Sequence, residues 1–208
     1  MVQFLIFSFI NMIVPTNPME DRFINYLQLL KPLPENDKRI IMNHFIPKSF
    51  KEGAFLIQPH KIAREMFFVC SGVIRIGSTN ERGIELTHYF YNENRLVSIL
   101  QSFNEEIPTR AFIQASCDAE VLSISKSKLL ELYSKLPYMK EFIDQQNQLH
   151  LIEKINTRNT YMGEEAENKY KLFVLQYPDI VLRIPLKDIA SYLGITPQSL
   201  SRIRKHIR

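Results

Sequence analysis

The sequence predicts an α+β fold with three parts: an antiparallel β jelly-roll barrel, one long helix and a small all-α domain. Short runs rich in Val, Ile, Phe and Tyr alternate with turn residues between residues 46 and 124. Residues 137–162 contain neither glycine nor an internal proline. The remaining residues, 163–208, contain three short amphipathic helical patterns. Many short strands at close spacing are typical of a jelly roll, and 45 % hydrophobic residues allow a packed core.

The first 18 residues are predicted to be a weakly packed apolar extension. The apolar run at residues 2–14 has 13 residues, whereas a spanning helix needs about 20. No Lys or Arg precedes Arg22, unlike the start of a secretory signal. We therefore expect no membrane partner, with a membrane anchor as the lesser alternative. The regular pattern begins at Met19, which is a second candidate start.

Residues 19–136 are predicted to form the barrel and its flanking helices. Helical spacing covers residues 19–30 and 35–45, with prolines between them, and Ser125 is placed to cap a further helix at 126–135. Glycines and prolines punctuate the strand region, and Ser71-Gly72 is a tight-turn signal. The clearest strands are predicted at 55–57, 66–70, 73–77, 85–91, 111–115 and 120–124.

The long pattern at residues 137–162 predicts a dimerisation helix. A helix of roughly 24 residues is about 36 Å long. Phe142, Leu149 and Ile152 recur at heptad-like spacing and form a narrow apolar stripe. We expect these three residues to line the interface of a homodimer. Packing of the helix against its own barrel is the alternative.

The sequence of residues 184–208, IPLKDIASYLGITPQSLSRIRKHIR, predicts a helix-turn-helix within the domain 163–208. Pro185 begins a first helix, and Gly194 supplies a left-handed turn residue. Thr196 is a good N-cap and Pro197 a good first helical residue for the second helix. The apolar positions that should face inward are Leu186, Ile189, Ala190, Leu193, Leu200 and Ile203. An ordinary helical hairpin is the alternative.

The outward face of the second helix has the chemistry of a DNA-reading helix. Gln198 can bond adenine and Arg202 can bond guanine. Hydroxyl groups near the helix N-terminus, together with Lys205, can hold phosphates. The predicted DNA-binding residues are Thr196, Pro197, Gln198, Ser199, Ser201, Arg202 and Lys205.

Charge is concentrated at the C-terminus. Residues 183–208 hold six Lys or Arg and one acidic residue, a net charge of +5, and the other 182 residues sum to −1. A basic segment on a near-neutral body fits an anionic partner, and a merely solvated tail is the alternative.

Catalytic and metal-binding chemistry is not indicated. Cys70 and Cys117 form no Cys-x-x-Cys motif, and the five histidines are dispersed, which argues against a metal-dependent jelly-roll enzyme. We expect no cofactor, no metal site and no catalytic residues. The two cysteines are expected to be buried thiols in a reducing cytoplasm.

From about Met19 onward the chain resembles the Crp/Fnr family of transcription regulators. The resemblance is carried by FFVCSGVIRI (67–76), AFIQASCDAEVLSISKSKLLEL (111–132) and, most specifically, IASYLGITPQSLSRIRK (189–205). It implies a cyclic-nucleotide-binding-like sensor domain, a dimerisation helix and a C-terminal helix-turn-helix. It also implies a homodimer that binds double-stranded DNA in the cytoplasm and regulates transcription, and a small-molecule effector of unknown identity.

The effector pocket departs from the cyclic-AMP-binding members of the family. Their phosphate-binding segment begins Gly-Glu and ends Arg-Ser or Arg-Thr, where this chain has Val97-Ser98 and Thr109-Arg110. The positions that contact adenine correspond to Ile152 and Glu153. We expect a pocket that is vestigial or takes a ligand other than cyclic AMP, unless a gap in the loop returns Arg110 to it.

The C-terminal end also departs from the resemblance. Family members often carry a β-hairpin wing after the second helix, whereas this sequence ends at Arg208, so we expect no phosphate contacts from a wing. Pro197 replaces an Arg found in some members. The alternative function is a ligand-sensing or protein-interaction module that has lost DNA binding.

Overall fold

The computed structural model describes residues 17–207. The predicted extension lies outside this range except for its last two residues, and so does Arg208. No helix within the described range is both long enough and apolar enough to cross a membrane.

Two four-stranded antiparallel sheets form the barrel and confirm the predicted jelly-roll architecture. Their strand orders are β1-β8-β3-β6 and β2-β7-β4-β5, so that consecutive strands lie in opposite sheets except for the β4–β5 hairpin. The strands are β1 (Ile46–Phe50), β2 (Phe55–Ile57), β3 (Glu65–Ser71), β4 (Ile74–Thr79), β5 (Glu85–Tyr91), β6 (Leu96–Val97), β7 (Ala111–Ala115) and β8 (Ala119–Ser125).

Helices flank the barrel and continue beyond it. As predicted, Ser125 caps the helix after the last strand, because its Oγ accepts a hydrogen bond from the Lys128 N–H at 3.3 Å. The helices are α1 (Pro18–Gln28), α2 (Glu35–Met42), α3 (Leu100–Glu105), α4 (Lys126–Lys135), α5 (Tyr138–Tyr161), α6 (Ala166–Gln176), α7 (Pro178–Val181), α8 (Leu186–Leu193) and α9 (Pro197–Ile207).

Four short elements were not predicted from the sequence: β1, β6, α3 and α7. The proline at position 47 obscured β1. It is tolerated because β1 is an edge strand that pairs only with β8, so the missing N–H breaks no central ladder. The other three contain two to six residues each, too few for a periodic signal.

The buried residues form two clusters. The larger fills the barrel and is closed by α1, α2, α4 and the start of α5. The smaller lies under the C-terminal helices, with Phe173 and Leu200 fully buried at its centre. Two barrel residues, Val73 and Phe90, belong to this second cluster. The C-terminal domain therefore completes its core on the outer face of the barrel.

Candidate functional site

Residues 186–207 fold as the predicted helix-turn-helix. Gly194 follows α8 with φ 70°, a left-handed conformation that only glycine adopts without steric cost. Thr196 caps α9, since its Oγ1 accepts a hydrogen bond from the Ser199 N–H at 3.1 Å. Ile189, Ala190 and Leu200 are fully buried between the helices, as the sequence predicts.

The opposite face of α9 is polar and open to solvent. Gln198, Ser201, Arg202 and Lys205 are exposed, and Ser199 is half-buried at the start of the helix. Thr196 and Pro197 are exposed immediately before them. The structure thus brings all seven predicted DNA-binding residues together on one surface.

The first helix of this motif also closes an edge of the barrel. β5 is an edge strand, and Ser191 of α8 bonds to its free backbone groups. The Ser191 Oγ donates to the Glu85 carbonyl at 2.8 Å and accepts from the Thr87 N–H at 2.9 Å. A helix therefore satisfies an edge that would otherwise be open to solvent or to another strand.

A buried arginine links α8 to the barrel, and the sequence did not predict it. Arg75 in β4 is 2 % exposed. Its guanidinium donates to the Thr87 Oγ1 at 2.8 Å and, through Nε, to the Gln114 Oε1 at 3.0 Å, and it pairs with Glu85. The Asp188 Oδ1 of α8 lies 3.6 Å away. We call these five residues the Arg75 cluster.

Burial changes the pKa of the Asp188 carboxyl group. The residue is 4 % exposed, and burial raises the pKa of its carboxyl above the ordinary range, although the nearby Arg75 charge opposes that shift. The carboxylate is therefore costly to bury without the guanidinium.

A second ion pair joins the linker before α8 to the barrel. The Arg183 guanidinium donates two hydrogen bonds to the Glu93 carboxylate, one of them at 3.0 Å. Glu93 also accepts from the Gly72 N–H at 2.9 Å. Burial alone would raise the pKa of Glu93, but the Arg183 and backbone hydrogen bonds hold the pKa below its usual value.

A pocket of about 380 Å³ lies between the barrel, the start of α3 and α5. Ser98, Tyr91, His150 and Lys154 are among its lining residues. Burial lowers the pKa of His150 to about 4, so the imidazole is neutral at pH 7. The Ser98 Oγ donates to the Glu65 carbonyl at 3.0 Å and is already engaged. Lys154 is thus the charged residue among those that line this pocket.

Ser98 is the one predicted effector residue among the residues lining that pocket. Val97 is buried in β6. The Thr109 Oγ1 accepts from the Ala111 N–H, and Arg110 is exposed. Neither Thr109 nor Arg110 lines this pocket.

The two α5 residues predicted to meet a ligand also lie elsewhere. Ile152 is 55 % exposed, and Glu153 accepts two hydrogen bonds from Arg95 at 2.8 and 3.2 Å. Both line a separate groove on the other side of α5. The structure therefore does not bring the six predicted effector residues into one cavity.

That groove forms an apolar surface on α5 and α6. The polar residues Glu153, Thr157, Thr160 and Gln176 line part of the groove. In its apolar part Leu149, Ile152 and Leu175 are 51 %, 55 % and 78 % exposed, and Leu172 and Asn156 lie beside them. We call these five residues the α5–α6 surface. Phe142, the third predicted interface residue, is half-buried and its ring packs 6.2 Å from that of Tyr26 in α1.

Neither a metal site nor a disulfide is formed by the described residues. Within residues 17–207 no three His, Cys, Asp or Glu side chains lie close enough to share a metal ion. Cys70 is a buried free thiol, as expected, and Cys117 is a half-buried one. Burial raises the pKa of the Cys70 thiol to about 12, so the thiol stays protonated.

Comparison with known proteins gives a family match for the barrel region and fold matches for most of the chain. Residues 47–135 match the cyclic nucleotide-binding domain family. None of the curated proteins matches the sequence.

Similar solved structures include the c-di-GMP responsive global regulator CLP of Xanthomonas campestris. It is 13 % identical, with 84 % of this chain and 91 % of that chain covered and a TM-score of 0.68. FixK2 of Bradyrhizobium japonicum is 15 % identical over 78 % and 84 %, with a TM-score of 0.67.

A protein from Eubacterium rectale, assigned as a transcriptional regulator of the Crp/Fnr family, is 18 % identical over 88 % and 87 %, with a TM-score of 0.67. These likenesses cover between 78 % and 88 % of this chain. Residues 47–135 are therefore similar to the cyclic nucleotide-binding domain family, and the chain has the fold seen in the Crp/Fnr transcription regulators.

Proposed function

We propose that this protein is a homodimeric transcription regulator that binds double-stranded DNA through α9. The observation that carries the proposal is the division of α9 into a buried apolar side and an exposed side with Gln198, Arg202 and Lys205. An α-helix with exposed polar and basic residues fits the major groove, where Arg and Gln can read base edges. Residues 19–136 would sense, 137–162 would dimerise and 163–208 would bind DNA.

A second copy of the chain is the proposed occupant of the α5–α6 surface. A symmetric dimer presents two recognition helices to two half-sites of a palindromic operator. Leu149, Ile152 and Leu175 each leave half or more of their surface open, and a facing copy would remove that apolar area from water.

The effector is proposed to be something other than a cyclic nucleotide. A buried cyclic phosphate needs an inward-facing cation and hydrogen-bond donors. Arg110 is exposed, Ser98 and Thr109 are engaged with the backbone, and Glu153 is paired with Arg95. No enzymatic role is proposed.

DNA binding is tested by fluorescence anisotropy on the upstream region of the gene across a salt series. Arg202→Ala should cost about 1–3 kcal/mol and relax specificity at one base pair. Lys205→Ala should weaken all sequences alike and reduce the salt slope by about one. Arg82→Ala, in the exposed turn between β4 and β5, is the control and should change neither.

The alternative, a module without DNA binding, predicts a different outcome. The wild-type protein would show neither a salt-dependent shift nor a difference between the upstream region and unrelated DNA. An Arg202→Ala protein with unchanged affinity and specificity would contradict the assignment of α9 residues.

A further inference from the structure

A second cavity lies where the barrel, α5 and α8 meet. Its volume is about 510 Å³, within the range of small-molecule sites. Its walls are mainly apolar and aromatic and include Ile76, Tyr89, Tyr161, Met162 and Tyr192. We call it the junction cavity. It is separate from the pocket beside Ser98, although Ile76 and Lys154 line both.

Two cations line this cavity without acidic partners. Lys154 is half-buried, with its Nζ 5.3 Å from the ring centre of Tyr89 and 5.2 Å from that of Tyr91. Arg158 lies one turn further along α5. In the described part of the chain neither forms a salt bridge within 4.0 Å, whereas Arg95 beside them is paired with Glu153.

The unpaired state of Lys154 has an electrostatic cost. Burial lowers the pKa of its ammonium group, and the neighbouring Glu153 only partly opposes that shift. A desolvated cation gains more from a bound anion than an exposed cation does, because the effective dielectric around it is lower. Aromatic rings stabilise the ammonium but do not neutralise it.

Two neutral polar residues of the same wall, Thr157 and Tyr161, are already hydrogen-bonded to Gln176. The Thr157 Oγ1 accepts from the Gln176 Nε2 at 2.9 Å, and the Tyr161 hydroxyl donates to the Gln176 Oε1 at 3.3 Å. Two further polar residues line the cavity: His88, whose Nε2 lies 2.8 Å from the Ser78 Oγ and whose pKa is lowered by burial, and Tyr89, whose buried hydroxyl has no hydrogen-bond partner in the described part of the chain. Lys154 and Arg158 are therefore the charged residues available to a ligand in a largely apolar space.

We infer that the junction cavity binds a small organic carboxylate with an aromatic or branched apolar body. The carboxylate would pair with Lys154 and Arg158, and the body would lie among Ile76, Met162 and the tyrosine rings. A single negative charge matches this wall better than a phosphate ester, whose heavier desolvation requires more hydrogen-bond donors.

The position of the cavity would connect this ligand to the DNA-binding domain. Tyr192 belongs to α8, and its ring packs edge-on against Tyr161 of α5, 5.9 Å between ring centres. A ligand in the cavity contacts both helices, so it binds the docked arrangement of α8 better than a detached one and shifts the population toward docking. This regulatory consequence rests on the proposed function, whereas the binding itself does not.

The test uses the full chain and four probes: benzoate, 4-hydroxyphenylacetate, 2-naphthoate and octanoate, each compared with its neutral amide. Calorimetry should give a Kd below 1 mM for at least one acid, with the amide at least tenfold weaker. Hydrogen exchange at the α8 amides should slow when the acid is bound. DNA affinity of the same preparation, measured without probe, keeps a failure of the proposed function distinct from a failure of this inference.

Single substitutions distinguish binding in the junction cavity from binding in the neighbouring pocket. Arg158→Met should weaken binding of the acid at least tenfold and is expected to fold, because Arg158 is exposed. His150 lines the pocket beside Ser98 and not the junction cavity, so His150→Leu should leave binding unchanged. Lys61→Met removes an exposed lysine elsewhere and is the charge control.

Three results would overturn the inference. One is that no acid binds below 1 mM, and another is that acids and amides bind alike. The third is that His150→Leu abolishes binding while Arg158→Met does not, which would place the ligand in the neighbouring pocket.

Discussion

Replacing Arg75 by Met should detach α8 from the barrel while the barrel itself stays folded. The substitution keeps an apolar stem in β4 but removes the guanidinium from a place where it is 2 % exposed. Asp188, 4 % exposed, then loses its counter-charge. Leaving one member of a buried ion pair uncompensated costs about 3–5 kcal/mol.

The chain can avoid that cost by exposing Asp188, and only α8 has to move for this to happen. The expected readout is therefore local. At 1.4 kcal/mol per factor of ten, a loss of 3 kcal/mol speeds hydrogen exchange at the docked α8 amides by about 100-fold. Amides in β3 and β8, which pair along the centre of the other sheet, should keep their protection.

Asp188→Asn should cost much less, about 1 kcal/mol, because Arg75 retains Thr87, Gln114 and Glu85 as partners. The double variant Arg75→Met/Asp188→Leu should restore most of the α8 protection, since no buried charge remains. Arg82→Met is the control for loss of an exposed arginine.

The reasoning would be refuted by either of two results. Unchanged exchange of α8 in Arg75→Met would show that the ion pair does not hold the helix. A double variant no better protected than Arg75→Met would show that the cost does not come from the unpaired carboxylate.

Three further predictions concern the long helix and the pocket. Leu149→Glu should give monomers in sedimentation at micromolar concentration, because like charges would face each other across the α5–α6 surface. Leu182→Glu, which changes an exposed leucine outside that surface, should leave the dimer intact. A monomeric wild type would contradict the proposed interface. His150 has a folded-state pKa of about 4 against 6.5 in the unfolded chain, so only the unfolded chain gains a proton as pH falls from 6.5 to 4, and stability is lost across that window. His150→Leu should therefore lose roughly 2–3 kcal/mol less than wild type between pH 7 and pH 4 in urea unfolding, and His206→Leu should behave as wild type. Cyclic AMP and cyclic GMP should not bind below millimolar concentration in calorimetry, since three missing polar contacts at about 2 kcal/mol each weaken a micromolar ligand roughly 10,000-fold. Saturable binding at tens of micromolar would show that Arg110 turns into the pocket.

Most of the fold could be predicted from the sequence because apolar residues recur at regular spacing along the longer helices and strands. The strand at 85–91 and the helix at 126–135 were predicted to the residue, and the helix-turn-helix was placed by Gly194 and Thr196. Elements without a period, such as α3, were missed. The pocket was harder to predict because it depends on which way single side chains turn in a loop, and alternation along a strand cannot settle that for Thr109 and Arg110.

The pattern of apolar residues along β4 and β5 indicates that the outer face of the barrel near Arg75 is covered. In a barrel exposed to water on its outer side, every second strand residue is polar. Here Ile74 and Ile76 face the barrel core, yet Val73 on the other face is buried as well, and so is Phe90 between Tyr89 and Tyr91. Apolar residues on both faces of β5 and at the start of β4 indicate that something covers the outer face. The lone Arg75 among them then needs hydrogen-bond partners and a counter-charge, which Thr87, Gln114, Glu85 and Asp188 supply.

That covering element is α8, and its position has a consequence for regulation. The helix supports α9 through Ile189 and Ala190. At the same time it contacts the barrel through Ser191, which bonds the edge strand β5, and through Asp188, which pairs with Arg75 of β4. A change at β5 that alters the docking of α8 also moves α9, because α8 and α9 share a close-packed interior. The barrel and the proposed DNA-reading helix are therefore joined through one short helix, and substitutions at Asp188 or Ser191 should change DNA affinity although neither residue belongs to the exposed face of α9.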